Sequence, residues 1–141
     1  MILYLDTSAL VKLYVRETGS VRVRNWLKQA AAAATSVVAY AEARAAFARL
    51  YRSALTNPRR HRERVARFNA DWESYLRVEL TPSVLRLAGE TAETYELRGF
   101  DSIHLASALW LADRAQTACG FAVFDQRLHD GAVRAGLSVL P

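Results

Sequence analysis

Four carboxylates stand where a chain of alternating strands and helices would bring them together: Asp6, Glu42, Asp101 and Asp125. Asp6 directly follows the apolar run Ile2–Leu5, and Asp125 directly follows Phe121–Phe124. Glu42 lies a few residues past Ser36–Val38, in the first turn of the helix expected next. Asp101 opens a helix whose apolar side is Ile103, Ala106, Leu109 and Ala112. Like charges gathered in one place repel and are costly to desolvate, so such a group calls for a compensating cation. Oxygen donors without cysteine or paired histidine select Mg²⁺ or Mn²⁺ over zinc. A carboxylate-bound ion of this kind keeps several waters and accepts phosphate oxygens as further ligands. It can activate a water for in-line attack on a phosphodiester. Each acid also has a purely local role open to it. Asp6 and Asp101 can cap helices, Glu42 can complement a helix dipole, and Asp125 can serve a turn.

The elements that must position these acids read as follows. Ile2–Leu5 is a buried-strand run, and Ala9–Val15 a helix capped by Thr7 or Ser8. Val21–Ala33 is helical, with Val23, Trp26, Leu27 and Ala30 on one stripe. Ser36–Val38 is a short strand, followed by an alanine- and arginine-rich helix from about Tyr40 to Leu55. Pro58 suits the first turn of the next helix, which runs to about Leu76. Val78–Leu80 is a third strand, Thr81–Pro82 opens a helix, and Ser102–Ala115 is another, capped by Asp101 or Ser102. Phe121–Phe124 is a strand, Gln126–Ala135 a short helix, and Leu137–Leu140 a closing strand. Strands separated by helices imply parallel crossovers. The fold class expected is α/β: a parallel sheet of four or five strands sandwiched between helices, in one domain spanning residues 1–141. In an open parallel sheet the site lies beyond the carboxyl ends of the strands, where Asp6 and Asp125 fall.

Composition agrees with one soluble domain. The chain has 141 residues, 52% hydrophobic and 23% charged, which excludes intrinsic disorder. A lone Cys119 excludes an internal disulfide and a cysteine-rich zinc site, and fits a reducing compartment. The N-terminal apolar run meets Asp6 too soon for a signal-peptide core. The uncharged stretch from Gln29 to Ala41 falls short of the roughly 20 apolar residues of a membrane span. A cytoplasmic location is the expectation. The net charge is +5, and only Lys12 and Lys28 among the 19 basic residues are lysines. Arg49, Arg52, Arg59, Arg60, Arg62, Arg64 and Arg67 fall close together, with Glu63 as the one acid among them. Guanidinium pairs phosphate bidentately, so the cluster suits a nucleic-acid backbone or an acidic partner. A solvated helical face is the plainer reading.

The ordered set of motifs resembles a known family. Leu5-Asp6-Thr7-Ser8-Ala9-Leu10-Val11-Lys12 comes first, then Thr35-Ser36 followed by Tyr40-Ala41-Glu42. Phe100-Asp101-Ser102-Ile103-His104-Leu105-Ala106-Ser107-Ala108 and Val123-Phe124-Asp125 complete it. Together they look like a PIN-domain protein, most similar to the VapC-type toxins of toxin–antitoxin modules. The resemblance runs from Ile2 to about Leu137. It implies a Mg²⁺- or Mn²⁺-dependent endoribonuclease whose metal-holding quartet is Asp6, Glu42, Asp101 and Asp125, with Thr7 or Ser8 orienting Asp6 or a bound water. It further implies an RNA substrate, a homodimer, and inhibition by a small antitoxin whose tail enters the active-site groove. On this reading Arg49, Arg52, Arg59, Arg60 and Arg62 are candidates to touch RNA or antitoxin.

The remaining polar residues carry less. His104 lies in an apolar helix and reads as a packed or surface group. His61 and His129 lack partners at metal-ligand spacing. Asp130 is a nearby acid outside the quartet. Trp26, Trp72 and Trp110 fall on amphipathic helices and read as packing residues, as do Tyr14 and Tyr40, and Cys119 as a small buried residue. The glycines are isolated, so no phosphate-binding loop is present. Two other readings stand beside the nuclease. An aspartate-based phosphatase or receiver would carry a second aspartate where this chain has Ser8. A non-catalytic binding module would use the arginines, leaving the acids as caps.

Overall fold

In a computed structural model, which describes residues 1–53 and 57–140, the strands and helices alternate as the sequence patterning requires. They are β1 (Ile2–Leu5), α1 (Thr7–Val11), α2 (Ser20–Gln29), β2 (Ala32–Ser36), α3 (Val38–Arg52), α4 (Pro58–Trp72), β3 (Leu76–Val78), α5 (Pro82–Tyr95), α6 (Gly99–Arg114), β4 (Cys119–Ala122), α7 (Gln126–Arg134) and β5 (Ser138–Leu140). The five strands form one sheet in the order β3-β2-β1-β4-β5, every pairing parallel. The chain builds outward from β1 on one side and returns to build outward from β4 on the other. The reversal point lies between β1 and β4, where an open α/β sheet leaves a crevice.

Alternation along β1 feeds two cores. Leu3 and Leu5 pack on one face with Ala9, Leu10, Phe47 and Phe68, and Tyr4 packs on the other with Leu105, Phe121 and Leu128. Helices α1–α4 cover the first face and α5–α7 the second. The sheet is covered on both sides, as parallel sheets are.

Several boundaries differ from the sequence expectation, each for a physical reason. The second strand is Ala32–Ser36 rather than Ser36–Val38, and the preceding helix stops at Gln29. Alanine favours helix, but Ala32–Ala34 pair residue by residue with Ile2–Tyr4, and Ala34 is fully buried. Tertiary packing overrides the local preference. Helix α3 accordingly starts at Val38, so Glu42 sits in its second turn. Its expected end at Leu55 lies outside the described residues.

Helix α1 spans Thr7–Val11, and its cap is Asp6 rather than Thr7 or Ser8. Helix α6 begins at Gly99 with Arg98 at the cap position and no side-chain cap bond, so Asp101 is a first-turn residue and not a cap. Strands β3 and β4 each begin two residues earlier than expected, and α4 stops at Trp72. Two arginines of the basic cluster serve the fold. The Arg64 guanidinium donates to the Tyr14 carbonyl at 3.0 Å and Arg67 to the Leu13 carbonyl, pinning α4 against the segment after α1.

Candidate active site

Asp6 leaves β1 at the sheet's carboxyl edge, held there from both neighbouring strands. Its N–H donates to the Ala122 carbonyl of β4 at 3.2 Å. On the other side, the Thr35 hydroxyl of β2 donates to the Leu5 carbonyl at 2.7 Å. The Asp6 side chain is 4% exposed. Its Oδ1 accepts the Ala9 N–H at 2.9 Å and the Ser8 hydroxyl at 2.7 Å. Ser8 Oγ in turn accepts the Phe124 N–H at 3.1 Å, so one hydroxyl ties the end of β1 to the segment that follows β4. Burial pushes the Asp6 carboxyl above its ordinary range, outweighing the charge of His104 and the bonds from Ser8 and Ala9. Asp6 is thus a helix cap, with the Ala9 N–H and the Ser8 hydroxyl both bonded to Oδ1.

Glu42 reaches the same place from α3. Its Oε1 accepts the Thr7 hydroxyl at 2.6 Å and lies 2.8 Å from His104 Nε2. Burial raises the Glu42 carboxyl, but the bond and charge of His104 and the bond from Thr7 together outweigh it. The net shift is downward.

Asp101 and Asp125 form a second pair. Arg98 Nε lies 3.1 Å from Asp101 Oδ2, and the same guanidinium lies 3.7 Å from Asp125 Oδ2. Asp125 also caps α7, its Oδ1 accepting the Leu128 N–H at 2.9 Å. Glu42 and Asp101, one acid from each pair, line a cavity of about 360 Å³ together with Arg98, Gly99 and Phe100. A groove of about 470 Å³ shares Glu42 and Phe100 and extends past Thr7, Ser8, Lys12 and Arg49.

The donor chemistry of this edge fits a hard divalent cation: carboxylates and hydroxyls, with no thiolate. Among the described residues no three Asp, Glu, His or Cys side chains are grouped closely enough to hold a metal ion between them. Mg²⁺ does not need such a group, since it is commonly held by one or two carboxylates with water completing its shell. The buried Asp6 carboxylate and the guanidinium placed between Asp101 and Asp125 both mark the edge as a place for positive charge.

Residues 3–132 match the PIN domain family. The chain belongs to that family. It is 40% identical to ribonuclease VapC45 of Mycobacterium tuberculosis strain CDC 1551 / Oshkosh, over 99% of this chain and 95% of the relative. Ribonuclease VapC46 of strain H37Rv is 35% identical over 98% of this chain and 95% of its own. The fold matches the FitAcB structure from Neisseria gonorrhoeae with a TM-score of 0.70 at 19% identity, covering 100% of this chain and 97% of the other. A toxin–antitoxin complex from Klebsiella pneumoniae matches with a TM-score of 0.69 at 14% identity, covering 99% and 96%. The expected PIN-like parallel sheet, sandwiched by helices, is the fold observed.

Within this PIN domain the expected residues divide. Thr7 donates to Glu42 and Ser8 to Asp6. Of the arginine candidates only Arg49 lines the groove. Arg52, Arg60 and Arg62 are exposed, and Arg59 pairs with Glu63 at 2.9 Å on the open face of α4. Asp130 bonds Gln126 and His129 and lines a different cavity, with Tyr95, Arg127 and Arg134. Cys119 is half-buried rather than buried. Arg98 and Tyr4 were not singled out from the sequence, and His104, expected to be a packed or surface group, is buried and bonded to Tyr4, Thr7 and Glu42. The signal available for His104 was its spacing, three residues after Asp101 on one helix face.

Proposed function

We propose that this VapC-family chain is a divalent-metal-dependent endoribonuclease and the toxin of a toxin–antitoxin pair. The observation that carries the reading is Asp6: a buried carboxylate at the sheet's reversal point, with Glu42 and Asp101 lining one cleft and Asp125 tied to Asp101 through Arg98. The VapC relatives are named ribonucleases, and one of the fold matches is a toxin–antitoxin complex.

Asp6, Asp101 and Asp125 would hold the ion, Mg²⁺ or Mn²⁺, with Glu42 holding it or a water beside it. When bound, the ion supplies an activated water and neutralises charge developing on the phosphodiester. The chain's own residues do the rest. Glu42, kept ionised by His104 and Thr7, orients the attacking water. Ser8 fixes Asp6 against β4. The exposed Arg49 gives the groove positive charge to draw in the RNA backbone, whereas Lys12 there is paired with Glu17 at 3.0 Å. The Phe100 ring, 57% exposed at the cleft mouth, offers a face on which a base can stack.

The groove continues into an apolar channel of about 340 Å³ lined by Val11, Val15, Ala46 and Leu50, with Glu17 and Arg49 at its sides. An amphipathic antitoxin segment would lie there and block access to the acids. A homodimer is part of the same proposal and is read by light scattering. So is a cytoplasmic location, where RNA is met; no helix among the described residues is long and apolar enough to cross a membrane. The reading is tested by incubating the protein with single-stranded RNA and Mn²⁺. Asp6→Asn and Asp101→Asn should abolish cleavage while leaving the circular dichroism spectrum unchanged, and full activity in either variant would remove that residue from the site.

A further inference from the structure

His104 is 2% exposed, yet it is not packed among apolar groups alone. It projects from α6 between β1, α1 and α3, and both ring nitrogens are engaged. Nε2 lies 2.8 Å from Glu42 Oε1 and 3.0 Å from Thr7 Oγ1, and Nδ1 lies 3.1 Å from the Tyr4 hydroxyl. Hydrogen accounting settles the direction of these bonds. The Thr7 hydroxyl has one proton and gives it to Glu42 Oε1, so toward His104 its oxygen can only accept. An ionised carboxylate can only accept as well. Both neighbours of Nε2 therefore require it to carry a hydrogen. The buried Tyr4 hydroxyl meets Nδ1 on the other side of the ring, so the imidazole is held with Nε2 turned toward Glu42 and Thr7.

A histidine that merely fills space has no need of this chain of bonds. An apolar residue of similar volume would fill the site without desolvating an imidazole, a phenol and part of a carboxylate. The chain also has a direction. It starts at the fully buried Tyr4 and ends at Glu42, whose side chain is 29% exposed and lines the cleft. Both bonds to Glu42 fall on Oε1, which leaves Oε2 for the cavity it shares with Asp101.

We propose that His104 is a positioning residue: held by Tyr4, its Nε2–H fixes the Glu42 carboxylate so that Oε2 faces the metal or its water. This rests on the reading of Glu42 given above. Carboxylates that ligate metals are themselves held by hydrogen bonds, and loss of such a partner typically costs about 10- to 100-fold in metal affinity or activity.

The test is Mn²⁺ calorimetry on the full chain, comparing wild type, His104→Leu, His104→Gln, Glu42→Gln and the double variant His104→Leu/Glu42→Gln. His104→Leu should weaken Mn²⁺ binding by about 10- to 100-fold. His104→Gln, whose amide can donate to the same oxygen, should restore most of that loss. Adding His104→Leu to Glu42→Gln should change the affinity no further, because the two residues act as one unit. Unchanged Mn²⁺ affinity in folded His104→Leu would overturn the inference alone. So would an equal loss in the Glu42→Gln background, which would make the role purely structural. A wild-type protein that binds no Mn²⁺ would overturn the metal reading and this inference with it. Should His104→Leu fail to fold, Tyr4→Phe removes only the orienting hydroxyl: a severalfold loss of affinity supports the proposal and no loss overturns it.

Discussion

Arg98 and Asp101 are joined across the start of α6, with the guanidinium Nε 3.1 Å from the carboxylate Oδ2. The same side chain reaches Asp125, so one arginine spans two acids carried by different elements, the start of α6 and the cap of α7. Its side chain is 70% exposed, and contacts of that kind are worth about 1 kcal/mol or less. Such a cation is a weak competitor for a divalent ion, and is easily displaced. Arg98→Ala should tighten Mn²⁺ binding by up to about fivefold, the free-energy equivalent of that contact. Arg98→Lys should fall between the two. Weaker binding in Arg98→Ala would show instead that the arginine helps assemble the site.

Asp6 makes a prediction about stability. Its carboxyl is raised above the ordinary value, so in the window just above pH 4 the folded state holds a proton that the unfolded state has released. Folded stability therefore falls as pH rises through that window and then levels off. Asp6→Asn keeps an oxygen for Ala9 and Ser8 but removes the charge. In EDTA at pH 7 its melting temperature should exceed that of wild type by a few degrees, with the gap closing toward pH 4. Cleavage should be abolished in the same variant. Glu42 has the opposite sign: its lowered carboxyl contributes stability that is present above its ordinary value and lost as pH falls through the lowered one. Melting curves of the two single variants from pH 3 to 8 separate these contributions. A flat difference for Asp6→Asn would remove burial as the cause.

Much of this was legible because strand ends announce themselves. An apolar run closed by an aspartate, at Asp6 and again near Asp125, gives both the strand and its carboxyl-edge acid in one reading. The alanine run was not legible. Residues 32–34 look helical, and only their pairing with Ile2–Tyr4 makes them a strand. That error displaced Glu42 by a turn but left it on the correct side of the sheet. The roles of His104 and Arg98 depend on contacts 62 and 27 positions away, to Glu42 and Asp125, which no local pattern carries. The basic cluster was legible as charge but not as function, since Arg64 and Arg67 spend their guanidinium groups on backbone carbonyls.

Two backbone positions in the left-handed region behave oppositely. Glu96 ends α5 at φ 54°, exposed, where a side chain costs about 1 kcal/mol relative to glycine. Glu96→Gly should raise the melting temperature by a few degrees and leave cleavage unchanged. Gly19, at φ 93°, has no room: an added Cβ would come within 2.7 Å of the Phe124 ring. Gly19→Ala should destabilise by more than Glu96→Gly stabilises. Thermal melts of both variants check the pair.

Position within the groove should separate the arginines. Arg49 lines it, whereas Arg62 is exposed on α4, outside the lining of groove and cleft. Loss of one phosphate contact to a single strand lowers the slope of log affinity against log salt by about 0.7. Arg49→Ala should show that change in RNA binding and Arg62→Ala should not. Equal changes in both would place RNA along α4 instead.

Asp6, Glu42, Asp101 and Asp125 are proposed to form one metal-dependent nuclease site. The most direct test is cleavage of a mixed single-stranded RNA pool by the purified protein in Mn²⁺ or Mg²⁺, in EDTA, and with Asp6→Asn in parallel. Cutting that requires the ion and vanishes in the variant is the predicted result. Cutting that persists in EDTA, or that Asp6→Asn performs as well as wild type, would contradict it.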